Sequence, residues 1–343
     1  MKLLLLDYIS YSGHKNFNKI HINALLSLGH ELCLYGKRGQ FDNIEKSMVD
    51  IYDIPDCFFK DYPITPVSFR LRCIATLNWL KRHIIWENYD VVVFLTYDIL
   101  SIFTFEIKQK TILINHNNVS QLWSCIKRFL TRRLPPNYIH VALNKEMENR
   151  LKELFPLRDV YHVPHGLCPP SDEIKKPSFI SVGEKFVFCP INNNFDKQFV
   201  KKIFEDRVLY EFLKETGITL CLKESLGVCS DENVIKKVPG TMDYGEYNYM
   251  LQNAIAVLLP YGEVFKYRCS GIFFECVARN TPIITTQLNA MAIYINIVNM
   301  RMFTGVDSLI DALKYYIQND NVSQNTEEFS PKGYWEKIFN EMK

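Results

Sequence analysis

Apolar residues along this chain fall into two alternating patterns. Short runs such as Leu3–Leu6, Val91–Leu95 and Ile283–Ile284 are rich in leucine or β-branched residues. Between them lie longer stretches in which apolar positions recur every three or four residues. The short runs predict strands buried on both faces, and the longer stretches predict amphipathic helices. The first half therefore reads as a strand at Leu3–Leu6, a helix from about Phe17 to Leu28 stopped by Gly29, and a strand at Glu31–Tyr35. A helix over Arg72–Trp86 and strands at Val91–Leu95, Thr111–Asn115 and His140–Leu143 follow. The charged helix Lys145–Leu154 and a strand at Val160–Val163, closed by Pro164-His165-Gly166, complete this half.

The segment Cys168–Lys185 holds three prolines and a Ser-Val-Gly turn and reads as a linker. The pattern then restarts. Strands are predicted at Phe186–Cys189, Thr219–Leu222, Asn233–Val238, Ala256–Leu259 and Ile283–Thr286. Helices are predicted near Lys197–Phe204 and over Tyr244–Asn253, Ser308–Asn319 and Pro331–Met342. Strands alternating with helices imply parallel sheets covered on both faces. The expectation is two doubly wound α/β domains, residues 1–167 and 168–343, with ligands in a cleft beyond the carboxyl ends of their strands.

Composition narrows the class. A chain of 343 residues, 48% hydrophobic and 23% charged, is globular and long enough for two domains. A formal net charge of +2 gives no bias toward nucleic acid. Ten scattered cysteines include no C-x-x-C pair, which argues against a zinc site or a disulfide framework and for free thiols in a reducing compartment. The apolar run before Asp7 is too short for a signal peptide. No stretch approaches the roughly 18 apolar residues of a membrane span. The expected location is the cytoplasm, or the inner face of a membrane.

The most informative stretch is Tyr267-Arg268-Cys269-Ser270-Gly271-Ile272-Phe273-Phe274-Glu275, which runs through Asn280-Thr281-Pro282 into Ile283-Ile284-Thr285-Thr286. Ser270-Gly271 opens an apolar helix whose first N–H groups and dipole favour an anion. Glu275 lies one turn in, where a carboxylate suits ribose hydroxyls, while Ile272, Phe273, Cys276 and Val277 read as buried. The plain alternative is an amphipathic helix with its one polar residue in water.

This segment resembles the donor-binding helix of GT-B glycosyltransferases, most of all the large retaining family 4 type. There a helix opening with Gly carries a late Glu and leads into a strand. The family's two glutamates lie eight positions apart; the second matches Glu275, and Tyr267 stands at the first. In the turn Asn192-Asn193-Asn194-Phe195-Asp196-Lys197, the family places an arginine and, five positions on, a lysine on the donor diphosphate. Lys197 matches the lysine, and Asn192 stands in the arginine's place, leaving Arg268 to supply a second cation. The resemblance puts the family's first-domain histidine at His116. His14, in the first loop, is where inverting members carry a base. Val163-Pro164-His165-Gly166 matches a turn preceding the family's linker.

The resemblance implies the transfer of a sugar from a nucleotide-diphosphate donor to a hydroxyl of a glycan or lipid-linked acceptor, as in polysaccharide or capsule biosynthesis. No cofactor and no metal are implied: the Asp-x-Asp triplet of metal-dependent transferases does not occur. In these roles Ser270, Gly271 and Ile272 offer amides to the diphosphate, Lys197 and Arg268 neutralise it, Glu275 holds the ribose and His116 meets the sugar. Two alternatives stand: a sugar-nucleotide epimerase on the same fold, and a GT-B domain without activity that serves as a binding partner. Finally, Gln121–Leu134 is basic and amphipathic, with Trp123, Ile126, Phe129 and Leu130 among Lys127, Arg128, Arg132 and Arg133. Such a face suits an anionic membrane surface, or a packed helix with solvated cations.

Overall fold

A computed structural model describes residues 1–10, 14–59, 65–191, 195–223, 234–319 and 326–342. The chain divides into two compact units. One comprises Met1–Gly166, Tyr267–Cys269 and Phe329–Lys343; the other comprises Leu167–Lys266 and Ser270–Glu328. Each is built on an all-parallel sheet, seven strands in the first and six in the second.

The first unit runs β1 (Lys2–Asp7), α1 (Lys15–Ser27), β2 (Glu31–Lys37), β3 (Val49–Ile54), α2 (Pro66–His83), β4 (Val91–Phe94) and α3 (Ile99–Phe103). It continues with β5 (Lys110–Asn115), α4 (Cys125–Arg132), β6 (Tyr138–Ala142), α5 (Lys145–Leu154) and β7 (Val160–His162). Its strand order is β3-β2-β1-β4-β5-β6-β7. Alternate residues of β1 feed two cores: Leu3 and Leu5 pack with Phe17, Ile22 and Leu25, and Leu4 and Leu6 with Cys73, Leu77 and Leu80. That is why the strand is apolar throughout rather than alternating.

The second unit runs β8 (Lys185–Cys189), α6 (Lys197–Phe204), α7 (Arg207–Thr216), β9 (Ile218–Lys223), β10 (Ile235–Val238) and α8 (Tyr244–Asn253). Next come β11 (Ala256–Leu259), α9 (Gly271–Ala278), β12 (Ile283–Thr286), α10 (Asn289–Ala292), β13 (Met300–Phe303) and α11 (Val306–Gln318). Its order is β10-β9-β8-β11-β12-β13. The final helix, α12 (Lys332–Glu341), belongs to the first unit, where the fully buried Trp335 donates its Nε1–H to His21 Nδ1 at 3.0 Å.

Several elements depart from the expectations. Helix α2 begins at Pro66 because the Thr65 hydroxyl caps Ser68 N–H, and it ends at His83, short of Trp86. Strands β3 and β13 and helices α3, α7 and α10 went unpredicted. Strand β3 (Val-Asp-Ile-Tyr-Asp-Ile) is an edge strand exposing its middle, so its apolar signal is diluted. Among the described residues no helix is long and apolar enough to cross a membrane. The nine described cysteines are free thiols, five of them buried.

Candidate functional site

In a doubly wound sheet the crevice opens where strand order reverses, beyond the strands' carboxyl ends. In the second unit that point lies between β8 and β11. The turn after β8 leads to Lys197 and the loop after β11 leads to α9. These turns touch: a side chain placed on Gly262 would lie 3.0 Å from the Asp196 nitrogen and 3.2 Å from the Phe195 carbonyl carbon. Lys197, exposed, is the first residue of α6. The Asp196 carboxylate caps that helix, accepting from Gln198 N–H at 2.9 Å and Phe199 N–H at 3.1 Å. The anion-binding end of α6 is therefore already occupied by a carboxylate. Asn192, Asn193 and Asn194 lie outside the described residues.

Helix α9 offers a different end. Ser270 is its N-cap, with Oγ accepting from Phe273 N–H at 3.1 Å and also bonded to the Tyr261 hydroxyl. The cap leaves the N–H groups of Gly271 and Ile272 without an intrahelical acceptor. Gly271 faces open space, with no atom within 4 Å of where a Cβ would lie. The helix stops at the expected Asn-Thr-Pro break. Asn280 takes a left-handed conformation (φ 55°), and Thr281 N–H reaches back to the Cys276 carbonyl at 3.0 Å. One burial expectation is corrected: Phe274 is in the core, whereas Ile272 is only partly buried, because the helix turns its 273, 274, 276 and 277 side inward.

Glu275 is partly buried and does not stand alone. Its Oε2 accepts from the Tyr247 hydroxyl at 2.9 Å. Burial raises its pKa, while the Tyr247 hydrogen bond and the Arg279 charge pull it down. Arg279 itself is committed to the Glu275 carbonyl (2.9 Å) and to Asn248 Oδ1 (2.7 Å). Tyr247, on α8, was not legible as a site residue, since a tyrosine in a helix carries no positional signal of its own.

In the first unit the order reverses between β1 and β4. His116, just past β5, and His14, at the N-cap of α1, are brought together there. Their rings stack with centroids 4.3 Å apart and Phe17 against His116 at 4.5 Å. His116 Nε2 is 2.9 Å from the Leu95 carbonyl, so Nε2 carries the proton. Burial, and then His14 and His165, hold the His116 pKa well below its ordinary value. Burial likewise lowers that of His14, against the opposing charge of Asp7.

Asp7 organises this corner, although its sequence position marks it only as the end of a strand. It is fully buried. Oδ1 accepts from Ser10 N–H (2.8 Å) and the Thr96 hydroxyl (2.5 Å); Oδ2 accepts from Asn18 Nδ2 and Gln40 Nε2, both at 2.8 Å. One carboxylate thus ties β1, α1 and the segments after β2 and β4. His165 packs on Phe17 at 5.0 Å, and its carbonyl accepts from His21 Nε2 at 3.1 Å. Gly166 is the expected turn, with φ +82°. Arg268 belongs to this first unit, where its Nε donates to Ser120 Oγ at 2.9 Å and its carbonyl accepts from Asn144 at 3.3 Å. Among the described residues, no group of three or more His, Cys, Asp or Glu is placed to hold a metal ion.

No family model matches the chain, and no curated protein matches it. Solved structures do. The apo structure of OtsA is similar with TM-score 0.65 at 10% identity, covering 100% of this chain and 99% of that one. The apo lipopolysaccharide outer core galactosyltransferase WaaB gives 0.57 at 14% identity, over 99% and 100%. The UDP-GlcNAc 2-epimerase from Neisseria meningitidis bound to UDP-GlcNAc gives 0.55 at 14% identity, over 100% and 99%. At these identities the likeness establishes the fold: two parallel α/β sheets in the GT-B manner, over the whole chain.

Proposed function

We propose that the protein is a glycosyltransferase that moves a sugar from a nucleotide-diphosphate donor to a hydroxyl of a glycan or lipid-linked acceptor in polysaccharide biosynthesis. One observation carries the reading. At the second unit's switch point, α9 begins with amides at Gly271 and Ile272 that have no intrahelical acceptor and carries the half-buried Glu275 one turn further on. An anion at the amides and hydroxyls at the carboxylate are what a nucleoside diphosphate presents. On this reading Lys197 and Arg268 neutralise the diphosphate as it leaves. His116 and His14, held neutral by burial, can accept a proton or a hydrogen bond near the sugar. The chemistry is assigned as metal-independent and retaining, the family 4 pattern that the α9 segment resembles, at the cytoplasmic side of a membrane.

The epimerase reading has its support in the fold likeness to UDP-GlcNAc 2-epimerases and differs in needing no acceptor. Thermal shift against UDP, GDP, CMP and their sugars identifies the donor, since a ligand bound to the native state raises stability by RT ln(1 + [L]/Kd). Incubation of that donor without acceptor then separates the readings: an epimerised nucleotide-sugar would mean epimerase, and slow release of free sugar and nucleotide is expected of the transferase. No stabilisation by any nucleotide would sink both.

A further inference from the structure

Helices α2, α3 and α4 cover one face of the first unit's sheet, with α3 packed against both of the others. Their outward surface is not that of ordinary solvated helices. Val67 and Leu71, one turn apart on α2, are 64% and 62% exposed; Trp123 is 82%, Ile126 70% and Phe129 54% exposed. A single exposed apolar side chain means little, but large ones clustered on neighbouring elements mark an interaction site. Helix α4 is seated through the buried Leu130, with Leu134 just past its end also buried, while Ile126 and Phe129 are exposed.

The stretches that carry them hold cations and no carboxylate. The chain has no Asp or Glu between Glu106 and Glu146, and none between Asp61 and Glu87, although the whole protein is nearly neutral at +2. The cations in these stretches include Arg70, Arg72, Lys127, Arg128, Arg132 and Arg133, and the Arg133 guanidinium lies 5.3 Å over the Phe129 ring. A cavity of about 510 Å³ is lined by Arg70 and Arg72 from α2, by Lys127 from α4 and by His116 just past β5. Among the described residues the carboxylate lining it is Asp98, already engaged in accepting from Leu100 N–H (3.1 Å) and Ser101 N–H (3.0 Å) as the cap of α3. Lys127 donates to Gln121, which lines the same cavity.

We propose that this face docks on an anionic lipid bilayer, with Trp123, Ile126 and Phe129 entering the acyl boundary and a lipid phosphate entering the cavity against Arg70 and Lys127. A bilayer supplies in one surface what the face displays, an apolar layer edged by negative charge. Arg128, Arg132 and Arg133 meet the headgroups. The docking stands without the transferase reading; on that reading, which this last assignment rests on, the lipid in the cavity is the carrier of the acceptor.

The test uses the full chain and vesicles of phosphatidylcholine alone, phosphatidylcholine with phosphatidylglycerol, and phosphatidylcholine with a polyprenyl phosphate. Co-sedimentation is expected to be at least about tenfold tighter to both anionic mixtures than to the neutral one, and to weaken as salt rises. Ile126→Glu with Phe129→Glu should abolish it; both positions are exposed, so the fold should hold. Arg70→Gln with Lys127→Gln should leave phosphatidylglycerol binding within about twofold yet remove the preference for polyprenyl phosphate. Nucleotide-induced thermal shift, read on the same preparations, should be unchanged in both variants. Equal binding to neutral and anionic vesicles, or wild-type binding by the glutamate variant, would overturn the docking. So would self-association that disappears in that variant in place of any vesicle binding. Polyprenyl phosphate held no more tightly than phosphatidylglycerol by the wild type would overturn the cavity assignment. Each of these results leaves the nucleotide reading to be judged by the thermal shift alone.

Discussion

The Tyr247 hydroxyl donates to Glu275 Oε2 at 2.9 Å, linking α8 to the second turn of α9. The bond orients one carboxylate oxygen and leaves the other to a ligand. If that oxygen accepts from ribose hydroxyls, Glu275→Ala removes charged acceptor contacts worth ~1.5–3 kcal/mol each, and nucleotide affinity should fall by about one to two powers of ten. Gln at this position should recover part of it. Because Tyr247 lowers the raised pKa of Glu275, Tyr247→Phe should raise it further and make nucleotide binding weaken sooner as pH falls. Calorimetric titration with the donor nucleotide reads all three variants; equal affinity in Glu275→Ala and wild type would remove α9 from the donor site.

Gly262 holds the two second-unit turns together. Its backbone is ordinary (φ −85°), so only space is at issue: an added Cβ meets backbone at 3.0 and 3.2 Å. Neither atom can swing aside as a side chain would. Gly262→Ala should destabilise the protein by ~1–3 kcal/mol through overpacking and weaken nucleotide binding by moving the Lys197 turn away from α9. Unchanged melting temperature and unchanged affinity would show that the turns are not coupled.

Much of this arrangement was written locally. Strands such as Ala256–Leu259 and helices such as Lys145–Leu154 and Tyr244–Asn253 were readable because buried runs and caps are near-neighbour signals. The Asp243 and Asn144 side chains cap helices that begin at the next residue. Glu275 could be singled out by position, but its partner Tyr247 lies 28 residues away and Asp7's partner Thr96 lies 89 away. Long-range pairing of that kind leaves no spacing to read. The outward turn of Ile126 and Phe129 was likewise undecidable from an amphipathic pattern, because the apolar arc of α4 is only partly used by the core.

On the proposed reading Lys197 and the α9 amides meet the charge of the diphosphate, so turnover should survive excess EDTA. Activity lost on chelation and restored by Mn²⁺ would place a metal there and end that assignment.

Buried histidines should make the protein acid-sensitive. Burial lowers His21 to about 3 and both His140 and His165 to about 4, from an ordinary 6.5. The unfolded chain therefore binds protons that the native state refuses, and stability present above pH 6.5 is lost as pH falls toward 4. For His140, whose ring nitrogens have no hydrogen-bond partner, the loss amounts to about 3 kcal/mol by pH 4. His140→Leu should flatten the fall of melting temperature between pH 6.5 and 4. An equally steep fall in the variant would assign the acid sensitivity elsewhere.

Asp7 gives the most selective test of the first unit. Its two oxygens accept from four donors: Ser10 N–H, the Thr96 hydroxyl, and the amides of Asn18 and Gln40. Asp7→Asn replaces one acceptor oxygen with a donating NH₂ in a space closed to water. Placed at Oδ1 that NH₂ faces the Ser10 N–H, which cannot accept, and placed at Oδ2 it forces the Asn18 and Gln40 amides to turn over; either way charge-assisted bonds of ~1.5–3 kcal/mol each are lost. The melting temperature should drop, and turnover should drop with it, because His14 follows the loop that Asp7 ties down. Nucleotide binding at α9, in the other unit, should be nearly unchanged once measured below the lowered melting temperature. A variant that keeps full turnover would show that the His14–His116 corner is packing alone; one that loses nucleotide binding as well would show that the two units do not hold their sites independently.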